Sequence, residues 1–192
     1  TIFPESWLAG TTTVGAKAII GPRTTLMNVK VAGGASVIES NCVDCEIGAD
    51  AKVGPYSYLR ADTSLAAGAK VGAYVEIKNS SIGEGTKVPH LSYVGDAEIG
   101  SGTNIGAATV FVNYDGVEKH KTKVGNEVRI GSDTMLVAPV CVGDGAYTAA
   151  GSVITDDVPA GAMGVARSKQ RNILGWVLRK RSGTKSAQAA KA

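Results

Sequence analysis

Val53-Gly54-Pro55-Tyr56-Ser57-Tyr58-Leu59-Arg60-Ala61-Asp62-Thr63-Ser64-Leu65-Ala66-Ala67-Gly68-Ala69-Lys70-Val71-Gly72-Ala73-Tyr74-Val75-Glu76-Ile77 places an aliphatic residue at every sixth position. The spacing continues through Ile82, Val88, Val94, Ile99, Ile105 and Phe111, and again from Val124 through Ile130, Leu136, Val142, Thr148 and Ile154. A period of six fits neither the 3.6 residues of a helical turn nor the simple alternation of a flat strand. It is the pattern of a parallel β-helix, in which each hexapeptide supplies one short strand and one corner. The fold class is therefore all-β.

Composition agrees. The 192 residues include 25 Gly, while aromatics make up only 5%, which suits tight corners around a narrow aliphatic interior. No stretch reaches the ~18 apolar residues of a membrane span, and no charged-then-apolar leader opens the chain. Neither a membrane nor a secretory route is expected, and a reducing, cytoplasmic setting is. The chain starts at Thr1 rather than Met, which reads as a piece of something longer. Eight of the 20 Lys and Arg lie in residues 167–192, which hold no acid, so residues 1–166 set the other 12 against all 17 acids for a net −5. A basic tail invites a nucleic-acid reading, but no aromatic residues interleave with it. A solubilising tail or a clamp for an anionic group is expected instead.

Residues 1–13 read as a lead-in, or the remnant of a coil. Residues 14–52 repeat less cleanly, with a disturbed stretch at Asn41–Glu46. The long gap between Phe111 and Val124 contains the polar run Asn113-Tyr114-Asp115-Gly116-Val117-Glu118-Lys119-His120-Lys121. It reads as about seven extra residues inserted at one corner, and such insertions often carry the site. The β-helix unit is expected to occupy residues 1–165, followed by a basic arm and tail over 166–192. Within the arm, Ile173, Leu174, Trp176, Val177 and Leu178 suggest a short helical segment that Gly175 weakens. Residues 182–192 read as disordered. Cys42 and Cys45 have zinc-like spacing, but no second pair or nearby His completes a ligand set, so no metal is expected.

Three hexapeptides make one coil, so residues about eighteen apart stack at the ~4.8 Å strand spacing. A coil containing a five-residue step closes in seventeen. This count sets Arg60 below Lys78, a like-charge pair that is most comfortable with an anion between its members. It also sets Glu76 between Tyr58 and Tyr93. The position two after each register residue runs Ala73, His90, Ala107, Ser132 and Ala150, a strip of small residues holding one imidazole. From His90 to Ala150 is three coils, about 14 Å, comparable to an extended pantetheine arm. With an unperturbed pKa near 6.5, His90 is a candidate base around neutrality. His120, in the polar run, reads as simply exposed.

Gly54-Pro55-Tyr56-Ser57-Tyr58-Leu59-Arg60, Val75-Glu76-Ile77-Lys78-Asn79, His90-Leu91-Ser92-Tyr93-Val94-Gly95-Asp96-Ala97-Glu98-Ile99-Gly100, Asn104-Ile105-Gly106-Ala107, Asn113-Tyr114-Asp115-Gly116 and Gly131-Ser132-Asp133-Thr134 closely resemble one enzyme family. It is the bacterial bifunctional N-acetylglucosamine-1-phosphate uridyltransferase / glucosamine-1-phosphate acetyltransferase family, in its C-terminal acetyltransferase half. The resemblance covers roughly residues 14–176. It implies a left-handed β-helix, a homotrimer, and acetyl transfer from acetyl-CoA to glucosamine 1-phosphate on the route to UDP-N-acetylglucosamine and cell wall.

Carried over position by position, the resemblance makes His90 the proton-accepting base. Glu76 is expected to orient its imidazole. Arg60, Lys78, Tyr93, Asn104 and Lys119 match sugar-phosphate positions, and Ala107, Asn113, Tyr114, Ser132, Ala150 and Arg167 match acetyl-CoA positions. The acetyl step itself needs no metal; the uridyltransferase half, whose nucleotide-sugar signature is missing here, would use Mg. Ala61-Asp62 stands where the family usually has Pro-Gly, and the far C-terminus varies, which weakens the transfer to Arg167 and Trp176. Three rivals remain at this level. An acyltransferase for another amino acceptor would show itself in a donor and acceptor panel. A zinc hexapeptide enzyme of the carbonic-anhydrase type needs three converging His, and the chain has only two. A non-catalytic trimerising β-helix would fail to bind acetyl-CoA.

Overall fold

The computed structural model describes residues 1–191, in which a parallel solenoid of three sheets, with nine, eight and nine strands, is followed by a short helical tail. The chain visits the sheets in strict rotation, and each can be called a face of a three-sided column. Face 1 runs from Trp7–Ala9 up to Val153–Ile154 and includes Tyr58–Leu59, Glu76–Lys78, Tyr93–Gly95 and Val110–Val112. Face 2 runs from Thr13–Val14 to Val140–Val142. Face 3 runs from Ile19–Ile20 to Met163–Gly164 and includes Lys70–Ala73, Lys87–His90, Asn104–Ile105 and Arg129–Ile130.

The register residues line the interior. Leu59 stacks on Ile77 and Ile77 on Val94, and Phe111, Ile105 and Leu136 are wholly buried. Because each strand is only two to four residues long, one inward aliphatic per strand is enough to hold it. Buried hydroxyls at the corners are bonded to carbonyls, as when Ser57 Oγ donates to Gly72 O at 2.6 Å and Thr109 Oγ1 to Gly106 O at 2.7 Å. The frequent Gly after a register residue has a steric cause. A Cβ on Gly72 would sit 2.0 Å from Pro89 O, and one on Gly106 2.5 Å from Ser132 N, in the coil above.

Coils with a five-residue step do close in seventeen, as in Val71 with Val88 and Leu65 with Ile82. Ile105 pairs with Ile130, 25 positions on, so the insertion adds seven residues to an eighteen-residue coil. Three expectations are revised. Residues 1–13 are a full part of the solenoid, with Trp7, Leu8 and Ala9 in register with Thr25, Leu26 and Met27. The stretch Asn41–Glu46 is short in spacing but unbroken in its ladder: Cys42 stacks between Leu26, 16 positions before it, and Leu59, 17 after it, and Cys42 and Cys45 are buried in the core. The hydrogen bond to neighbouring Cys45, together with burial, pushes the Cys42 thiol well above its usual range, as expected of a packing residue. Finally, the tail is not without structure. Ala166 makes the last hydrogen bonds to the solenoid, after which helices form at Trp176–Lys180 and Lys185–Ala189. Gly175 starts the first in the left-handed region, and Arg181 lies over the Trp176 ring at 4.9 Å. Thr184 caps the second, and Ala187 is buried. No described helix is long and apolar enough to cross a membrane.

Candidate active site

The column counted from the sequence exists. Ala73 pairs with His90, Lys87, three places before His90, pairs with Asn104, three places before Ala107, and Ile105 pairs with Ile130. Backbone bonds climb the same corner: Leu91 N to Ala73 O at 3.0 Å, Ala108 N to His90 O at 3.3 Å, Asp133 N to Ala107 O at 2.7 Å and Gly151 N to Ser132 O at 2.9 Å. The corner between faces 3 and 1 therefore carries Ala73, His90, Ala107, Ser132 and Ala150 in order. At its top the Arg167 side chain reaches to within 3.8 Å of where a Cβ on Gly151 would stand. The His90 side chain is exposed and has no hydrogen-bond partner among the described residues, so its ring nitrogens are open to a ligand.

The cations gather on the other edge of face 1. Leu59 pairs with Ile77, which sets Arg60 directly below Lys78, and Tyr93 lies one coil above Glu76. The inserted segment then adds Lys119. It is a compact hairpin: Tyr114 bridges Lys119 in antiparallel fashion, and His120 N donates to Asn113 O at 2.8 Å. Asp115 Oδ1 accepts from Val117 N and Glu118 N, each at 2.7 Å, while Oδ2 meets His120 Nε2 at 2.7 Å. Those bonds, led by the one from Glu118, hold the Asp115 carboxyl far below its usual range. His120 is thus a half-buried member of the hairpin, not the exposed residue expected. Tyr114 is exposed, its hydroxyl donating to Gly116 O at 2.7 Å.

Lys119 comes close enough to Lys78 to depress the Lys78 ammonium, with burial and Arg60 adding to the effect and Asp96 opposing it. Three cations from two coils and one insertion therefore share a small volume. Like charges are held together only where the fold fixes them or an anion joins them. Glu76 partly relieves the repulsion, because its Oε1 accepts from Arg60 Nη1 at 2.7 Å.

Within one chain Glu76 makes no hydrogen bond to the His90 imidazole; its carboxylate is bonded to Arg60, its diagonal neighbour. The imidazole and the cation cluster also lie on different edges of the column. His90 closes a strand of face 3, whereas Lys78 ends a strand of face 1 and pairs with Gly95. Within one chain the width of face 1, roughly 10 Å of strand, separates the imidazole from the cations. Asn104 stands apart from the cations too, on face 3 between Lys87 and Arg129. Asn113 is buried at the foot of the hairpin, where its amide donates to Asp96. Asp96 itself escaped the sequence reading, because nothing in a one-dimensional pattern marks a surface-type residue that an insertion later covers.

Comparison with known proteins separates the two levels of likeness. Repeats of the family described as bacterial transferase hexapeptide (six repeats) match residues 44–79 and 121–156. The chain is 60% identical over 189 residues, 98% of its length, to the bifunctional protein GlmU of Streptomyces avermitilis. It is 57% identical over 190 residues, 99% of its length, to the bifunctional protein GlmU of Mycobacterium tuberculosis strain H37Ra. This is a hexapeptide-repeat chain similar to the C-terminal part of GlmU proteins. It spans 39% and 38% of the length of those relatives and aligns with their C-terminal part.

The fold-level likeness reaches further than the sequence. A UDP-N-acetylglucosamine acyltransferase, LpxA, from Bacteroides fragilis superposes with a TM-score of 0.73 at 16% identity, covering 97% of this chain and 80% of the other. A second solved UDP-N-acetylglucosamine acyltransferase gives 0.71 at 14% identity, covering 100% and 80%. The chain is thus a left-handed parallel β-helix, as the sequence resemblance implied.

Proposed function

We propose that this chain transfers the acetyl group of acetyl-CoA to the 2-amine of glucosamine 1-phosphate. The observation that carries the reading is the convergence of Arg60, Lys78 and Lys119, three cations suited to one phosphate. The identity to GlmU over nearly the whole chain supports it. The small-residue corner from Ala107 through Ser132 to Ala150, ending near Arg167, has the length and narrowness to take the acyl donor. Tyr93 and Asn104 would contact the sugar, and Asn113 and Tyr114 flank the donor at the foot of the hairpin.

In the step itself the amine nitrogen attacks the thioester carbonyl. A C–N bond forms and the C–S bond breaks. His90 takes the proton that the nitrogen must shed, and CoA leaves as the thiol once its sulfur is protonated. Phosphate and amine are substituents of adjacent sugar carbons, so base and cations have to meet across one small pocket. The distance across face 1 in a single chain therefore favours a site closed by a second copy, with His90 and Asn104 of one protomer facing the cations of the next. A homotrimer supplies such junctions three times over.

Turnover of glucosamine 1-phosphate with acetyl-CoA, followed by thiol release, tests the proposal. Activity that depends on both substrates is expected; no turnover with the trimer intact would defeat it. A pH profile gives a second check. Lys119 lowers the Lys78 ammonium, and a bound phosphate favours its charged form, so rising pH removes a charge the acceptor needs. The acceptor KM should climb on the alkaline side at a pH below the ordinary lysine range near 10.4. In Lys119→Ala that limb should move upward towards ordinary lysine. An acceptor KM flat to pH 10 would place Lys78 outside the pocket.

A further inference from the structure

Five non-glycine residues turn the corner between faces 1 and 2 in the left-handed backbone region: Asn28, Asp44, Asp62, Asn79 and Asp96. Four are exposed, and only Asp96 is buried. It lies where the inserted hairpin leaves and rejoins the solenoid. At the exit, the Asn113 amide donates to Asp96 Oδ2. At the return, Thr122 N donates to Asp96 O at 3.2 Å. From the coil below, the Asn79 amide donates to Oδ1 at 2.5 Å, and Asp96 N itself donates to Lys78 O at 3.1 Å. One residue thus joins both feet of the hairpin that carries Lys119 to the strand that carries Lys78.

We propose that Asp96 is a positioning residue for the phosphate end of the acceptor. This rests on the reading of the cation cluster given above. Its carboxylate clasps the hairpin so that Lys119 is held beside Lys78 before the acceptor arrives. Burial by itself would raise the carboxyl, but the two amides and the Lys78 and Lys119 charges outweigh it and keep it ionised. A buried carboxylate that is fully bonded fixes geometry strongly, and one that loses a partner does not.

The alternative role for a carboxylate near cations is plain charge compensation, and the two roles predict opposite signs. If Asp96 only neutralised the lysines, removing its charge would strengthen phosphate binding. If it positions them, Asp96→Asn replaces the charge-assisted bonds from Asn79 and Asn113 with weaker neutral ones, the clasp loosens and phosphate binding weakens. The expected result for Asp96→Asn is a rise of ten-fold or more in acceptor KM. The kcat should stay within about two-fold, since a lost acceptor contact acts on binding. The double variant Asp96→Asn with Asn113→Asp restores the bond with its polarity reversed and leaves the Asn79 donor an amide oxygen. It should recover most of the lost acceptor affinity.

Calorimetric binding of inorganic phosphate to the intact protein separates this inference from the assignment of substrate. Phosphate binding weakened in Asp96→Asn and regained in the double variant would support the clasp even if glucosamine 1-phosphate were not turned over. An unchanged or lowered acceptor KM in Asp96→Asn would overturn it. So would a double variant that folds but stays as weak as the single one. If Asp96→Asn alone does not fold, the double variant against wild type decides.

Discussion

His90→Ala is expected to lower kcat for acetyl transfer by about 10²–10⁴-fold, the usual contribution of a positioned general base, with little change in either KM. The amine cannot attack while protonated, and His90 is the imidazole on the small-residue corner it shares with Ala107, Ser132 and Ala150. Asp133 lies next to that corner, but its backbone N donates to Ala107 O and its side chain is exposed. The fold should not suffer. The His90 side chain is exposed and bonds to nothing in the chain, and the ladder at this position uses its backbone carbonyl, which receives Ala108 N and Ser92 Oγ. The unfolding midpoint and oligomeric state should therefore match wild type. A high concentration of added imidazole should restore part of the rate, since the variant leaves space where the ring stood. Near-wild-type kcat in His90→Ala would remove this residue from the chemistry.

The second large effect is on stability. Phe111 is wholly buried and is the largest such side chain among the described residues. It stacks on Leu136 in the coil above, while its neighbour Val110 pairs with Tyr93 below. Phe111→Ala should cost about 3–5 kcal/mol, the transfer of an aromatic ring plus the cavity it leaves. In a solenoid each coil contacts only its neighbours, so this loss is not spread through the whole molecule. Denaturant unfolding should show a lowered midpoint, and hydrogen exchange should place the opening in the coils around Val110–Val112 and Met135–Val137. Asn113 lies two residues beyond Phe111, so the hairpin and its Lys119 should loosen as well. A cost under about 1 kcal/mol would mean that the surrounding coils collapse onto the vacancy.

The hexapeptide period alone sufficed for the class of fold, the coil register and the height of each side chain along the axis. Once Ile105 and Ile130 were taken as one coil apart, the seven extra residues and the column from Ala73 to Ala150 followed by counting. That works because each repeat makes the same backbone bonds to the one below, so sequence distance converts directly into axial distance. Handedness came from resemblance to a family, since a period of six winds equally well on paper in either sense. The unbroken ladder through residues 1–13 and 41–46 was hidden because Trp7–Ala9 and Asn41–Val43 keep the backbone pairing with less typical side chains. In the tail, the short helices rest on local caps at Gly175 and Thr184, which composition does not show.

Position around the coil was the part that counting missed. Glu76 shares a height with the site, yet it turns to Arg60 because a salt bridge between diagonal neighbours on one sheet is shorter than any reach across a corner. His90 and Lys78 differ by one coil in height, but the breadth of face 1 parts them. The hairpin was legible as an insertion, whereas its closure by Asp115 and His120, and its fastening by Asp96 and Asn113, depended on contacts between residues far apart in the chain. A repeat fixes what is stacked; only the folded surface decides which charged tips meet, because side-chain direction and solvent exclusion are properties of three dimensions.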